Sequence, residues 1–335
     1  MNTMGQTIKR VPIPLCGVIL AMASLGNLLG DVSGDFRLIC GGVAFALMAM
    51  VVAKLALHPG MVRADLNNPV IASASGTFCM AWMVLSTYLV NVSSRVALGV
   101  WLAAIALHLL LMVYFTRKFM WHLQIENVYA SYFIVYVGIC VAAVTAPSHG
   151  REAIGEVAFW FGFAALFVIG ALVVYRYARH AVQTDALRPL FCICVAPISL
   201  CLTGYAASVP DKSPLMLGGL LVAATLAYAF VLVKAIGYAL TLDFYPSFAG
   251  MSFPFVVCPL ALKQVLAVAE AAGTSLVGLK LLFILETVVA LIFVSMVLAR
   301  FLHYLFLATE RQDHCTEKLF LGKIPYQLCD DGLDK

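Results

Sequence analysis

Charged residues are scarce in this sequence of 335 residues, where Asp, Glu, Lys and Arg together make up 11%. A soluble domain carries about 25% charged residues. Hydrophobic residues reach 63% of the chain, and the mean hydropathy is +0.98. This composition excludes an ordinary soluble domain and predicts a membrane protein with several spanning helices. The net charge of +4 is too small to indicate a nucleic-acid partner.

Catalytic and cofactor motifs are also lacking. The sequence contains no HExxH, no nucleotide-binding loop, no paired acidic metal motif and no CxxC. Eight of its ten cysteines lie in apolar segments, where cysteine usually behaves as a small hydrophobe. We therefore expect no enzyme activity, no cofactor and no metal site.

Ten apolar segments fill most of the chain, and each is long enough to span a hydrocarbon core of about 30 Å. They predict an all-α membrane domain over residues 11–306, between a cytoplasmic N-terminus (1–10) and a cytoplasmic tail (307–335). Both termini are placed in the cytoplasm because the loops on their side hold most of the Lys and Arg residues. The segments are 11–30, 36–57, 69–91, 95–117, 128–147, 153–177, 188–208, 214–239, 248–269 and 276–306.

Odd-numbered and even-numbered segments differ in composition. The odd segments begin about every 60 residues, as duplicated units do, and they collect small residues and helix breakers, which permit close approach of backbones. This pattern predicts five helical hairpins with five bent helices inside five straighter ones. Ordinary helix packing with scattered kinks is the alternative. The expected kink residues are Pro14, Gly17, Pro69, Gly76, Gly138, Pro197, Pro254 and Pro259.

The ninth segment, FAGMSFPFVVCPLALKQVLAVA, gives the strongest indication of function. Pro254 and Pro259 each remove a backbone hydrogen bond from a helix, and such breaks are tolerated at membrane depth where protein or a water-filled cavity satisfies the backbone. Phe253 comes directly before the first of these prolines. We predict that the segment is the wall of a pore and that Phe253 is its plug. Simple core packing of this ring is the alternative, since Phe is commonly buried.

Three short stretches resemble the tellurite-resistance/dicarboxylate transporter (TDT) family. They are IPLCGVILA in the first segment, CICVAPISL around Pro197 in the seventh, and Ser252-Phe253-Pro254 in the ninth. The resemblance covers residues 11–306. It implies a quasi-five-fold arrangement of helical hairpins around a central pore in each protomer, closed by Phe253. It also implies a homotrimer and a small monovalent anion, such as chloride or nitrate, as the substrate.

The sequence departs from the family pattern in two helices. The fifth segment lacks the family's proline and leaves Gly138 as the expected bend, whereas the ninth segment adds Pro259 and Lys263. Lys263 is a candidate for attracting anions at the outer mouth. The alternatives are that it snorkels to the interface or pairs with Glu270.

Two further ionisable residues, His108 and Glu286, lie within apolar segments and are functional candidates for that reason. Both are on even helices, which favours hydrogen bonds between helices. In an alternative function, a proton-coupled transporter or exporter of sulfite, C4-dicarboxylates or tellurite-related anions, these two residues would carry the proton. The composition and the resemblance favour an integral protein of the bacterial inner membrane, surrounded by lipid. The hydroxyls considered for anion contact are those of Ser73, Ser75, Ser131, Thr145, Ser199 and Thr203.

Overall fold

The computed structural model describes residues 3–182 and 184–307, and within these ranges the chain forms helices and no strands. Nine of the described helices are long and apolar enough to cross a membrane, and a tenth is a shorter apolar helix. The prediction of an all-α membrane protein with ten apolar helices is therefore confirmed. The helices are α1 (Leu15–Leu29), α2 (Gly34–Leu57), α3 (Pro69–Leu89), α4 (Ser94–Met120), α5 (Tyr132–His149), α6 (Glu152–Arg179), α7 (Asp185–Ser208), α8 (Pro214–Thr241), α9 (Pro246–Ala271) and α10 (Val277–Phe306).

Three short helical elements lie outside these ten and were not predicted. They are the α-helices Thr3–Arg10, in the segment assigned as the N-terminus, and Pro59–Asp65, between α2 and α3, and the 3-10 helix Ile125–Asn127, between α4 and α5. Helix α1 begins only at Leu15 because the turn before it is tighter than an α-helix: Leu15 N–H donates to Pro12 O (3.0 Å). Of the predicted tail, only Leu307 falls within the described residues.

Burial separates the odd helices from the even ones. In the most apolar stretch of α3, α5, α7 and α9, 67–83% of the residues are buried, against 17–39% in the five even helices. Helix α1 is buried along nearly its whole length. The small residues of the odd helices therefore mark an inner layer, and the Leu-rich and Val-rich even helices form an outer layer that presents apolar side chains outward.

The five inner helices form a closed ring. Helix α1 packs against α3, α3 against α5, α5 against α7, α7 against α9, and α9 returns to α1. Each outer helix packs on the inner helix that precedes it in the chain, so that every hairpin contributes one inner and one outer helix. The chain is therefore arranged as five hairpins around one centre.

Glycines allow neighbouring inner helices to approach closely. A Cβ built at Gly17 of α1 lies 3.3 Å from the Ala249 Cβ of α9, and a Cβ at Gly250 of α9 lies 3.1 Å from the Ile193 Cγ1 of α7. Larger side chains at these two positions would push the helices apart. Small residues at helix contacts are the usual way in which membrane helices come this close.

In four of the five hairpins, a cationic side chain near the end of the outer helix contacts a residue at or just before the start of its inner partner helix. Lys54 Nζ donates to Val11 O (2.6 Å), Lys118 Nζ donates to Asn67 Oδ1, and Arg176 lies 4.3 Å above the Tyr129 ring. In the last hairpin Arg300 lies 4.8 Å above the Phe248 ring, and its Nη2 donates to Ala239 O (2.9 Å). These contacts connect four outer helices to residues at or just before the start of their inner partners, and Arg300 also contacts α8.

Gly155 of α6 offers a test of the packing between the layers. A Cβ built there lies 2.7 Å from Ala146 Cβ and 2.9 Å from Ser208 Cβ, atoms fixed close to their backbones. We expect Gly155→Ala to destabilise the protein by about 1–3 kcal/mol, the usual effect of overpacking, and to lower the melting temperature in detergent. Gly170→Ala on the same helix is the matched control, because its Cβ would meet nothing within 4 Å. Equal melting temperatures for the two variants would contradict this packing.

Candidate functional site

A cavity of about 60 Å³ lies at the centre of the inner ring. All five inner helices contribute to its wall: Pro14 from the entrance of α1, Ala74 from α3, Gly138 from α5, Pro197 from α7 and Phe253 from α9 are among the lining residues. None of the described lining residues is charged, and Thr77 and Ser247 supply the hydroxyl groups of the wall.

Four inner helices change their helical geometry beside this cavity, and α1 begins there. Helix α3 is interrupted at Ser75, and α5 has a 3-10 turn at Val137–Ile139. Helices α7 and α9 begin as 3-10 segments, Asp185–Val195 and Pro246–Met251, before they become α-helical. In each case an α-helical segment starts near the cavity, so its N-terminal end, which carries a positive partial charge, lies close to the wall. These segments start at Leu15, Gly76, Cys140, Ala196 and Phe253.

The prolines lie at these junctions. Pro254 and Pro197 occupy the first turn of their α-helical segments, where the missing N–H would have had no partner within the helix. The expectation that Pro254 removes a backbone hydrogen bond from a helix was therefore wrong, since α9 changes from 3-10 to α geometry just before it. Pro259 does lie inside the helix.

The predicted kink residues divide into two groups. Pro14, Gly17, Gly138, Pro197 and Pro254 line the cavity. The remaining three, Pro69, Gly76 and Pro259, are not among its lining residues.

Phe253 is the first residue of the α-helical part of α9, and its side chain lines the cavity with 7% exposure. The hydroxyl of Ser252 is within hydrogen-bond distance of two carbonyl oxygens, Ala249 O (2.6 Å) and Gly17 O of α1 (3.2 Å). This contact ties the junction in α9 to the neighbouring helix. Phe255 differs from Phe253, because it is fully buried and its ring stacks on Phe293 with centroids 4.5 Å apart.

Lys263 lies outside the cavity wall. Its Nζ is 2.8 Å from Asp31 Oδ2 and donates to Leu28 O (3.0 Å), at the C-terminal end of α1. Glu270 pairs instead with Lys280 at 2.8 Å, so the alternative pairing of Lys263 with Glu270 was wrong. The ammonium group neutralises a helix end and a carboxylate, which leaves little net charge for attracting anions.

His108 and Glu286 both lie behind the inner ring. His108 Nε2 is 3.0 Å from Val135 O, which joins α4 to α5, and the imidazole is fully buried. The Glu286 side chain is 3% exposed and neighbours Tyr228 of α8 and Cys258 of α9. Neither ionisable residue lines the cavity.

Sequence reasoning missed the hydroxyls that do line the cavity. The hydroxyl residues singled out from the sequence are not among the lining residues, whereas Thr77 and Ser247 are. Ser247 was missed because the predicted ninth segment began at residue 248, after the start of the 3-10 turn that holds this serine. A proline at the head of an apolar run is a helix-start signal, so Pro246 could have placed the beginning of the segment earlier.

Five helical hairpins around a central uncharged cavity define a class of integral membrane proteins suited to carrying small solutes. The sequence profile of the SLAC1 family, described as voltage-dependent anion channel, matches residues 10–302. The chain therefore belongs to this family, whose members are channels and transporters rather than enzymes. A search of curated proteins found no match.

The contacts of Lys263 predict a structural role. We expect Lys263→Gln to destabilise the protein by about 1 kcal/mol, because a cation is lost from the C-terminal end of α1. Lys280→Gln is the control, since both members of its ion pair are about half exposed and such pairs contribute little. Melting temperatures in detergent measure the difference. An equal loss in both variants would count against this role for Lys263.

Proposed function

We propose that the protein is an anion channel that passes small monovalent anions, chloride and nitrate, through the cavity of each protomer. The observation that carries this proposal is the cavity itself, which is lined by all five inner helices and has no charged residue in its described wall. Family membership supports anion transport in general.

The chemistry of the wall suits a conducting path better than a tight binding site. A channel must bind its ion weakly enough to release it. Fixed cations in the wall would hold an anion, whereas helix N-terminal ends and hydroxyls supply only partial positive charge. The junctions beside the cavity provide that kind of weak stabilisation.

Phe253 is the proposed gate. Its ring belongs to the cavity wall at the junction where α9 becomes α-helical. An apolar ring across a narrow path excludes water, and an ion without its hydration or a compensating partner meets a barrier of several kcal/mol.

Truncation of this ring tests the gate. We expect Phe253→Ala to raise anion current at least about tenfold, since each 1.4 kcal/mol removed from a barrier corresponds to a factor of ten. Current in oocytes or in liposomes, normalised to the amount of protein, measures the effect. Phe255→Ala is the matched control: it removes the same side chain two residues along, from a ring that stacks on Phe293 instead of lining the cavity. Unchanged current in Phe253→Ala would remove the gate from the proposal.

Selectivity should follow the energy of dehydration. A weakly polar wall replaces little of the hydration shell, so the anion that loses its water more easily passes more readily. We expect nitrate to be more permeant than chloride, which reversal potentials under bi-ionic conditions measure. A clear preference for chloride would contradict a wall that stabilises anions only weakly.

A proton-coupled transporter or exporter of sulfite, C4-dicarboxylates or tellurite-related anions is the second candidate. It is favoured by the buried carboxyl of Glu286, which neighbours Tyr228, a residue whose buried hydroxyl has no hydrogen-bond partner among the described residues. His108 is the other candidate for carrying a proton. The two functions differ in one measurement: a pH gradient alone drives uphill anion movement only in a coupled transporter, and Glu286→Gln would abolish that movement.

The remaining parts of the proposal concern assembly and location. We propose a homotrimer in the bacterial inner membrane, with residues 11–306 in the bilayer and residues 1–10 and 307–335 in the cytoplasm. The cations at the entrances of the inner helices, such as Lys54, Arg176 and Arg300, lie on the side assigned to the cytoplasm, as the positive-inside rule requires. Native mass spectrometry tests the trimer.

A further inference from the structure

Ser247 carries a buried hydroxyl without a protein partner. The residue is 1% exposed, lies in the 3-10 segment Pro246–Met251 and lines the central cavity. Its Oγ makes no hydrogen bond with any described residue. A buried hydroxyl left unpaired gives up its hydrogen bonds to water without replacement, so such a group in a native structure requires an explanation.

Other hydroxyls of the inner helices do not share this property. Ser73 Oγ is 2.9 Å from Val70 O and 2.7 Å from Ser131 Oγ. The hydroxyl of Thr77 donates to Ala74 O (2.7 Å). Both residues bond back to a carbonyl of their own helix, as Ser and Thr commonly do in membrane helices.

The position of Ser247 explains why it cannot do the same. It is the second residue of its helical segment, so the residues three and four positions earlier, Phe244 and Asp243, precede the helix. No carbonyl of a preceding helical turn is available to accept a hydrogen bond from this hydroxyl. The O–H group therefore remains available to whatever occupies the cavity.

The surroundings favour an anion over a cation. Thr77 is the other hydroxyl residue of the described wall, and its O–H already donates a hydrogen bond to Ala74 O. A cation would need several free oxygen acceptors, whereas an anion needs donors and positive partial charge. The α-helical segment starting at Phe253 directs its N-terminal end to the same wall.

We infer that Ser247 is an anion-coordinating residue, whose hydroxyl donates a hydrogen bond to one small monovalent anion held in the central cavity. The cavity volume of about 60 Å³ exceeds the roughly 10–15 Å³ that a cavity needs to hold one water-sized particle, so it has room for a small anion. This inference rests on the proposed channel function, because it assigns a binding position within the same path. The hydroxyl would then also influence selectivity. Chloride is more strongly hydrated than nitrate, so chloride depends more on a hydrogen bond from Ser247 that replaces one of its lost waters.

The current test uses Phe253→Ala as the parent, because removal of the gate gives a measurable conductance. We expect Ser247→Ala in this parent to raise the half-saturating chloride concentration about tenfold, as the loss of one hydrogen bond to a charged group implies, and to increase the nitrate-to-chloride permeability ratio. Ser247→Thr, which keeps the hydroxyl, should retain both values. Ser73→Ala is the control, because it removes an equally buried hydroxyl that is not part of the wall.

A binding test with the full chain in detergent separates this inference from the channel proposal. Chloride should raise the melting temperature of the otherwise unchanged protein relative to gluconate, a much larger anion, and Ser247→Ala should lose this stabilisation. Absence of anion current from both the unchanged protein and Phe253→Ala, together with this loss, would overturn the channel and leave the anion site. A conducting Phe253→Ala parent, with unchanged affinity, selectivity and chloride stabilisation in Ser247→Ala, would overturn the site and leave the channel.

Discussion

Backbone polar groups inside a membrane must find partners within the protein, and this constraint governs the whole molecule. Each inner helix has a junction at the cavity: the start of α1, and in the other four an interruption of the regular backbone hydrogen bonds, as at Ser75 in α3 and Val137–Ile139 in α5. Lipid cannot satisfy such a break. The five junctions are tolerable because they meet at one central cavity and are shielded from lipid by the outer helices.

That shielding requires a closed ring, and the ring requires small residues. Gly17 and Gly250 let α9 approach α1 on one side and α7 on the other, and Ser252 ties its junction to the backbone of α1. The same geometry places the N-terminal ends of α-helical segments around an uncharged space. A fold that protects broken helices thus also surrounds the cavity with partial positive charge, which is the property that the proposed anion channel needs.

Much of this arrangement could be predicted from the sequence. The number of helices, the hairpin repeat and the inner position of the odd helices follow from apolar length, spacing and small-residue content, which are local properties. The sequence could not show that Lys263 pairs with Asp31 rather than Glu270, because that choice depends on how α9 lies against the end of α1. It also could not single out Ser247, because the lack of a hydrogen-bond partner for its buried hydroxyl is visible only in the folded structure.

The most direct measurement of the central claim locates an anion in the protein. Crystals of Phe253→Ala grown in bromide allow the ion to be found by its anomalous scattering. The account predicts a bromide peak in the cavity between Pro14, Ala74, Gly138 and Pro197, inside the ring of inner helices. Bromide peaks confined to the surfaces of the outer helices or to contacts between protomers, with an empty central cavity, would contradict it.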